Sequence, residues 1–576
     1  MAYSLTRREW IGFGLRSAAA VAASRFMVSD GFAQPVDHAY SKVFRQLDTF
    51  IENYMRAMNS PGMTLVISGR DGIRRIATYG FSDLESKTAP KPTDLFQIGS
   101  ISKSFVGLCL MQLRDEGKLD LKKPVLDYLP WYRVETAFAP ITTHHLLTHS
   151  AGLPSGWEVF LSDPAEKHHV ANPPGEHFHY CNMGYELLGH LLWTLDGRPM
   201  PEIFRKRIFE PLGMTQSEPI IDLDTRSRTA KSYAAYQNDR PFPRQGRLSE
   251  APAIVITTGA GSIASTPRDM GLYIQMIANR GQGPKGRLIS EESFALWSTP
   301  HMKAEDFGPT ARYGYGIAVD ALDGHKLLRH TGGMVSFMSA IQIDLDEGIG
   351  AFASVNAQQG YRPNPVVQYA IQLMRAEAAN KPFPDSPPLK PPTKVEKPGD
   401  YAGTYQSSDG RKLEFAAEGD GLLLQYQGTK ISLEVNGASA DAFTARHPAF
   451  DRFVFVFGRA DTKDPKSALV EVGWGNEWYV NEKYSGPKEF TVPPEWKAYV
   501  GHYRNENPWI GSAHITLRKG KLMADGVVPL EAGDNGRFYL RDDPHNPEWI
   551  RFGEVVNGAC MRIKFSGEDL WRVMTA

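Results

Sequence analysis

The chain has 576 residues, 42% of them hydrophobic, enough for roughly two to four domains with buried cores. Its 64 Lys and Arg balance 65 Asp and Glu, which excludes a broad electrostatic surface for nucleic acid or an anionic membrane. Three widely spaced cysteines, Cys109, Cys181 and Cys560, make neither a disulfide framework nor a metal-ligand set.

At the N-terminus Arg7-Arg8 precedes a short Ala-rich apolar run over 11–23. Gly31 and Ala33 put small residues where a signal peptidase reads. Residues 1–33 therefore resemble a twin-arginine export signal, with an uncleaved amphipathic anchor as the other reading. Export implies a periplasmic or extracellular protein. No later run reaches the ~18 apolar residues of a membrane span.

Residues 36–380 read as mixed α and β. "YSKVFRQLDTFIENYMRAM" and "YELLGHLLWTLDG" carry helical periodicity, while "GMTLVISG", "GIAVD" and "MSAIQIDL" are β-rich. The stretch 381–398 holds seven prolines and predicts an extended linker. Beyond it, "KLEFAAE", "GLLLQYQ", "ISLEVNG", "FVFVFGR" and "ALVEVGW" are short strands between turn residues, as in an antiparallel barrel or sandwich. Tyr401, Gly403 and Tyr405 recur as Tyr499, Gly501 and Tyr503. That repeat divides the region into two β-domains, 399–490 and 491–576; one large β-domain is the alternative.

Three stretches carry chemistry. In "FQIGSISKSFVGLCLMQLRDEG", Val106, Cys109, Leu110 and Leu113 fall at helical spacing, with Gly117 as the stop. One buried face is expected. Ser100 and Lys103 are three apart and so neighbours on a helix. They fit a nucleophile with its base, and equally an N-cap serine followed by a solvated lysine. A second Ser-x-x-Lys, Ser485 to Lys488, lies among Gly and Pro and has no helix to hold it. Tyr180 and Asn182 precede a helix and, in an extended segment, face one side. Tyr is a proton carrier when a cation lowers its pKa, and Asn offers a donor and an acceptor; a buried Tyr and a capping Asn fit as well. His330-Thr331-Gly332-Gly333 stands at the expected start of a strand, where glycines let a substrate backbone approach. An ordinary turn fits there too.

Together these stretches resemble the penicillin-recognising serine hydrolases: class C β-lactamases, DD-peptidases, D-aminopeptidases and related esterases, of peptidase family S12 type. That family's ordered set is Ser-x-x-Lys, Tyr-x-Asn and Lys- or His-Thr-Gly. "LLTHSAGLP", "FEPLGMT", "GSIASTPRDM" and "YGYGIAV" also look like the family, and the resemblance covers about residues 40 to 375. It implies an α/β catalytic domain, an antiparallel sheet flanked by helices plus a helical subdomain, followed here by all-β barrel-like domains of lipocalin-like form. It further implies Ser100, Lys103 and Tyr180 as catalytic residues. Asn182, His330, Thr331 and Gly332 would bind substrate, and the backbone N–H groups of Ser100 and Gly333 would form the oxyanion hole. Neither metal nor cofactor is implied. The expected substrate is a small molecule or short peptide, most simply a D-amino-acid-containing amide. A carboxylesterase or weak class C-type β-lactamase is the alternative, and a non-catalytic peptide or cell-wall binder is the reading of another class.

Two departures bear on specificity. His330 stands where class C β-lactamases carry lysine, and a histidine there titrates near neutrality, so its protonated form would bind a substrate carboxylate; a neutral histidine hydrogen-bonded to Thr331 or the Tyr180 region is the alternative. Cys181 replaces a commoner serine and is expected to point into packing. Eight of the 16 histidines crowd positions 144–190. His145 and His149 have zinc-ligand spacing, but no His-Glu-x-x-His or well-placed general base accompanies them. There is no Gly-x-Ser-x-Gly around Ser100, against an α/β-hydrolase. "NENPWIGS", 505–512, is a candidate barrel loop over the active-site mouth.

Overall fold

Strand alternation builds the first half of the chain. The computed structural model describes residues 40–574 apart from 157, 162–164, 236–247, 253–254, 359–361, 390–394, 437–440, 508–509 and 542; the expected export signal lies outside the described residues. Eight strands form one antiparallel sheet: β1 (Gly62–Gly69), β2 (Gly72–Gly80), β3 (Met302–Lys303), β4 (Arg312–Tyr313), β5 (Ala318–Leu322), β6 (His325–Met334), β7 (Phe337–Asp344) and β8 (Ile349–Val355). Their order is β3-β4-β5-β6-β7-β8-β1-β2. In β1 every residue is buried, because the period of two sends alternate side chains into different cores. Leu65 and Ile67 join helices α1 (Ser41–Met58) and α5 (Asn364–Ala378) on one face. Val66 joins α4 (Pro267–Ala278) and the helical subdomain on the other.

That subdomain is centred on α2 (Ser102–Asp115) and α3 (Asn182–Asp196). The expected single buried face of α2 is corrected here: every residue from Ser102 to Met111 is buried. The helix runs through the middle of the domain, so Lys103 is buried with the apolar positions. Ser100 precedes the α-helix, in a 3-10 turn over Gly99–Ile101. Gly117 ends the helix with φ 71°.

The two tyrosine repeats each open a closed barrel of eight strands, the first between Gly403 and Val480, the second between Gly501 and Arg572. Tyr405 and Tyr503 are fully buried. Each donates its hydroxyl to the carbonyl four residues back, Tyr401 O at 3.3 Å and Tyr499 O at 2.7 Å. Barrels of this size are filled by side chains, here Phe415, Phe455 and Phe457 in the first and Ile515, Ile550 and Ile563 in the second. Between the sheet domain and the first barrel, Tyr369 donates to Pro384 O at 3.1 Å and Val395 is buried in the barrel core. No helix among the described residues is long and apolar enough to cross a membrane.

Candidate active site

The Ser100 turn and strand β6 meet backbone to backbone. Gly99 has φ 52°, and a Cβ there would lie 2.6 Å from Gly333 O. A Cβ on Gly332 would lie 1.8 Å from Ile98 O. Only glycine fits either position. The contact sets Gly333 beside Ser100, and it puts His330-Thr331-Gly332-Gly333 in the last half of β6, not at a strand start as expected. The paired strand β7, with Gly332 opposite Ser339, fixes the register.

Lys103 is fully buried and its amine has three acceptors: Ser100 Oγ at 3.0 Å, Asn182 Oδ1 at 2.9 Å and Ala260 O at 2.8 Å. Burial pushes the amine from 10.5 down to about 7; Glu186 opposes the drop and Arg362 adds to it. A neutral amine 3.0 Å from a hydroxyl can take its proton. Asn182 is therefore not a cap. Cys181 caps α3 instead, its Sγ accepting Gly184 N–H at 3.2 Å and donating to Pro154 O at 3.1 Å. Its burial is the packing role expected, and desolvation pushes the thiol up to about 12.

Tyr180 lines one cavity with Ser100, and its ring centroid lies 4.9 Å from Lys103 Nζ. The expectation of a lowered tyrosine pKa is reversed. Burial raises the phenol above its usual value against the opposing influence of Ser100, because a phenolate loses much of its solvation in the interior. Tyr180 is an O–H group at neutral pH.

His330 is also corrected. It is 1% exposed; its Nδ1 lies 2.6 Å from Thr331 O and its Nε2 2.8 Å from Tyr313 OH. A carbonyl only accepts, so Nδ1 carries the proton and Nε2 accepts from Tyr313. Burial, then the charge of Lys103, push the imidazole down to about 3. His330 is neutral and holds the β6 backbone. The cation that sequence reasoning missed is Arg362, exposed two residues before α5, which donates to Thr331 Oγ1. It lines a cavity of about 470 Å³ with Ser100, Tyr180, His330, Thr331 and Phe307. Nothing in its sequence neighbourhood marks it.

A second missed group is Glu186, one turn after Asn182 on α3. Burial raises its carboxyl to about 8, against the opposing pull of Lys103 and of the Gly259 and Ala260 amides. The i, i+4 spacing from Asn182 was the available signal. Two of the crowded histidines accept backbone amides: His145 Nδ1 accepts Thr142 N–H at 3.1 Å, and His149 Nδ1 accepts Cys181 N–H at 3.0 Å. Among the described residues the side chains grouped closely enough to hold an ion are His325, Asp344 and Asp346, at the far ends of β6 and β7.

Residues 47–375 match the family model described as Beta-lactamase. Protein flp of Staphylococcus aureus (strain MRSA252) is 23% identical over 349 residues, 57% of this chain and 66% of that protein. The chain thus spans just under two thirds of that relative's length. Among solved structures, the octameric penicillin-binding protein homologue from Pyrococcus abyssi aligns with TM-score 0.53 and 24% identity, over 76% of this chain and all of that one. A penicillin-binding protein from Bacillus halodurans aligns with TM-score 0.45 and 22% identity, over 58% of this chain and 98% of that one.

Proposed function

The chain belongs to the beta-lactamase family of serine hydrolases, and from that premise we propose that it cleaves small amide or ester substrates through an acyl-enzyme on Ser100. The observation that carries this reading is the buried Lys103 amine, held near neutrality 3.0 Å from Ser100 Oγ. Neutral Lys103 takes the hydroxyl proton as Ser100 Oγ attacks the carbonyl. The N–H groups of Ser100 and Gly333 hold the oxyanion, each worth about 3 kcal/mol in comparable acyl transfer. The Tyr180 phenol passes its proton to the leaving group while recovering one from the Lys103 ammonium, so that no phenolate accumulates. Water then attacks the ester by the reverse relay. Asn182 orients the substrate amide as well as Lys103.

The substrate class we favour is a short peptide or amide built on D-amino acids, with a carboxylate directed at Arg362. The Arg362 guanidinium lining the cavity supports the carboxylate, since guanidinium groups bind carboxylates by paired hydrogen bonds. Export through the twin-arginine route is part of the same reading, supported by Arg7-Arg8 and the apolar run behind them.

The test is hydrolysis of D-aminoacyl amides, D-Ala-D-Ala peptides, short p-nitrophenyl esters and nitrocefin, alongside fluorophosphonate labelling. Labelling of Ser100 with preferred turnover of a D-configured amide is the expected result. Failure of every probe to label Ser100 would leave the binding-protein reading.

A further inference from the structure

The second barrel meets the catalytic domain at the segment that carries Tyr180. Residues 177–181 lie in no helix or strand, so no backbone ladder fixes them. Two holds on this segment come from His149, whose O accepts His179 N–H at 2.8 Å and whose Nδ1 accepts Cys181 N–H at 3.0 Å. A third comes from a residue far along the chain. Glu548, 9% exposed, accepts His179 Nε2–H at 2.8 Å and Ser155 N–H at 2.6 Å through one oxygen. Its other oxygen accepts Ser566 Oγ–H. The hydrogen bonds and ion pair outweigh desolvation and hold the Glu548 carboxyl below its usual range, so it is a carboxylate and His179 is the donor.

The surrounding contacts seat the barrel around this point. Asn172 Nδ2 donates to His545 O at 2.7 Å, and the His177 and His545 rings stack at 3.6 Å. Glu158 N–H reaches Glu568 at 3.1 Å, and Glu166 pairs with Arg551 and with Lys564, the latter at 3.0 Å. The contacts thus come from residues 545–568. The described part of the 505–512 loop, expected over the active-site mouth, instead bonds within its own barrel, Asn505 Nδ2 to Asp569 O at 2.6 Å.

Successive side chains in extended backbone point to opposite sides. His179 and Cys181 face the barrel and Pro154, and Tyr180 between them faces Ser100. Whatever fixes His179 therefore fixes the direction of the phenol. We propose that the second barrel is a working part of the catalytic site, with Glu548 as the positioning residue that aims Tyr180 through His179. This rests on the reading of Tyr180 as the proton relay. A carboxylate is suited to the task because one oxygen ties together two separate catalytic-domain segments, at Ser155 and at His179, while Ser566 of its own barrel holds the other.

The experiment is a double-mutant cycle in the full chain, read as turnover of a short p-nitrophenyl ester and as the rate of Ser100 labelling by a fluorophosphonate. Glu548→Ala should lower kcat on the order of 10- to 100-fold, the scale of an ångström's misplacement, with KM nearly unchanged. Glu548→Gln keeps an acceptor for Ser155 N–H and His179 Nε2–H and should restore most of the loss. In a Tyr180→Phe background Glu548→Ala should have little further effect, because the phenol it aims is gone. If Tyr180→Phe itself is costly and Glu548→Ala adds its full factor on top, the barrel's positioning role is overturned and the relay stands. If Tyr180→Phe turns over at the parent rate, the relay reading falls, and the positioning role with it. Should Glu548→Ala not fold, the same cycle with His179→Leu decides. A His179→Leu loss that persists undiminished in Tyr180→Phe would equally overturn the proposal.

Discussion

The burial of Lys103 sets the pH at which this protein should acylate. Its drop from 10.5 to about 7 corresponds to about 5 kcal/mol against the ammonium at ~1.4 kcal/mol per pH unit. At pH 7 an unshifted lysine would be neutral in about one molecule in 3,000, whereas this one is neutral in about half, a gain of roughly 1,500-fold in competent base. The neutral form is the base, so activity is gained as pH rises through 7. The assay is kcat/KM for an uncharged p-nitrophenyl ester, or fluorophosphonate labelling of Ser100, from about pH 5 to 9. The rate should be half-maximal near pH 7 and fall about tenfold per unit below it. Glu186 titrates nearby and the two groups share their protons, so the observed limb belongs to the pair. Glu186→Gln removes the carboxylate that favours the ammonium and should move the limb to lower pH. Between about pH 7 and 10.5 the unfolded chain holds a proton that folded Lys103 has released. Lys103 by itself therefore contributes stability that grows with rising pH across that window, at up to ~1.4 kcal/mol per unit, against the opposite slopes of the raised Glu186, Cys181 and Tyr180, and the difference between the parent and Lys103→Met isolates it. A profile flat down to pH 5, or a limb above pH 9, would refute the assignment of Lys103 as a desolvated base.

Three further outcomes are expected. Ser100→Ala should abolish turnover of every substrate the parent cleaves while the circular dichroism spectrum stays unchanged, since Ser100 faces the cavity. Arg362→Gln should raise KM about 10- to 100-fold for carboxylate-bearing substrates, the worth of a charged hydrogen bond, and hardly at all for matched amides. The ratio of the two KM values in the parent should not change across the imidazole range of about pH 5 to 8, because His330 is neutral there; paired KM measurements check both statements. Gly332→Ala puts a methyl 1.8 Å from Ile98 O and should cost about 1–3 kcal/mol of stability by overpacking, with a loss of kcat as Gly333 moves away from Ser100. Thermal unfolding and turnover on one preparation separate the two effects.

The parts of this protein legible in its sequence are those whose cause is local. The period of two in "GMTLVISG", the apolar spacing of 106–113 and the proline run at 381–398 each follow from neighbours within a few residues. The Tyr-x-Gly-x-Tyr repeat is local as well, since each inner tyrosine bonds a carbonyl four residues back. Ser100 and Lys103 meet because three residues make nearly one helical turn. Protonation was not legible, because it is set by burial and by partners far along the chain. A histidine that titrates near neutrality as a free side chain is held neutral here by burial and by the charge of Lys103, which lies 227 positions earlier in the chain. The cationic partner of Thr331 comes from Arg362, 31 residues on. The partner of His179 comes from a different domain, 369 residues on. Desolvation and hydrogen bonding depend on what the fold brings within about 3 Å, and no spacing along the chain carries that information.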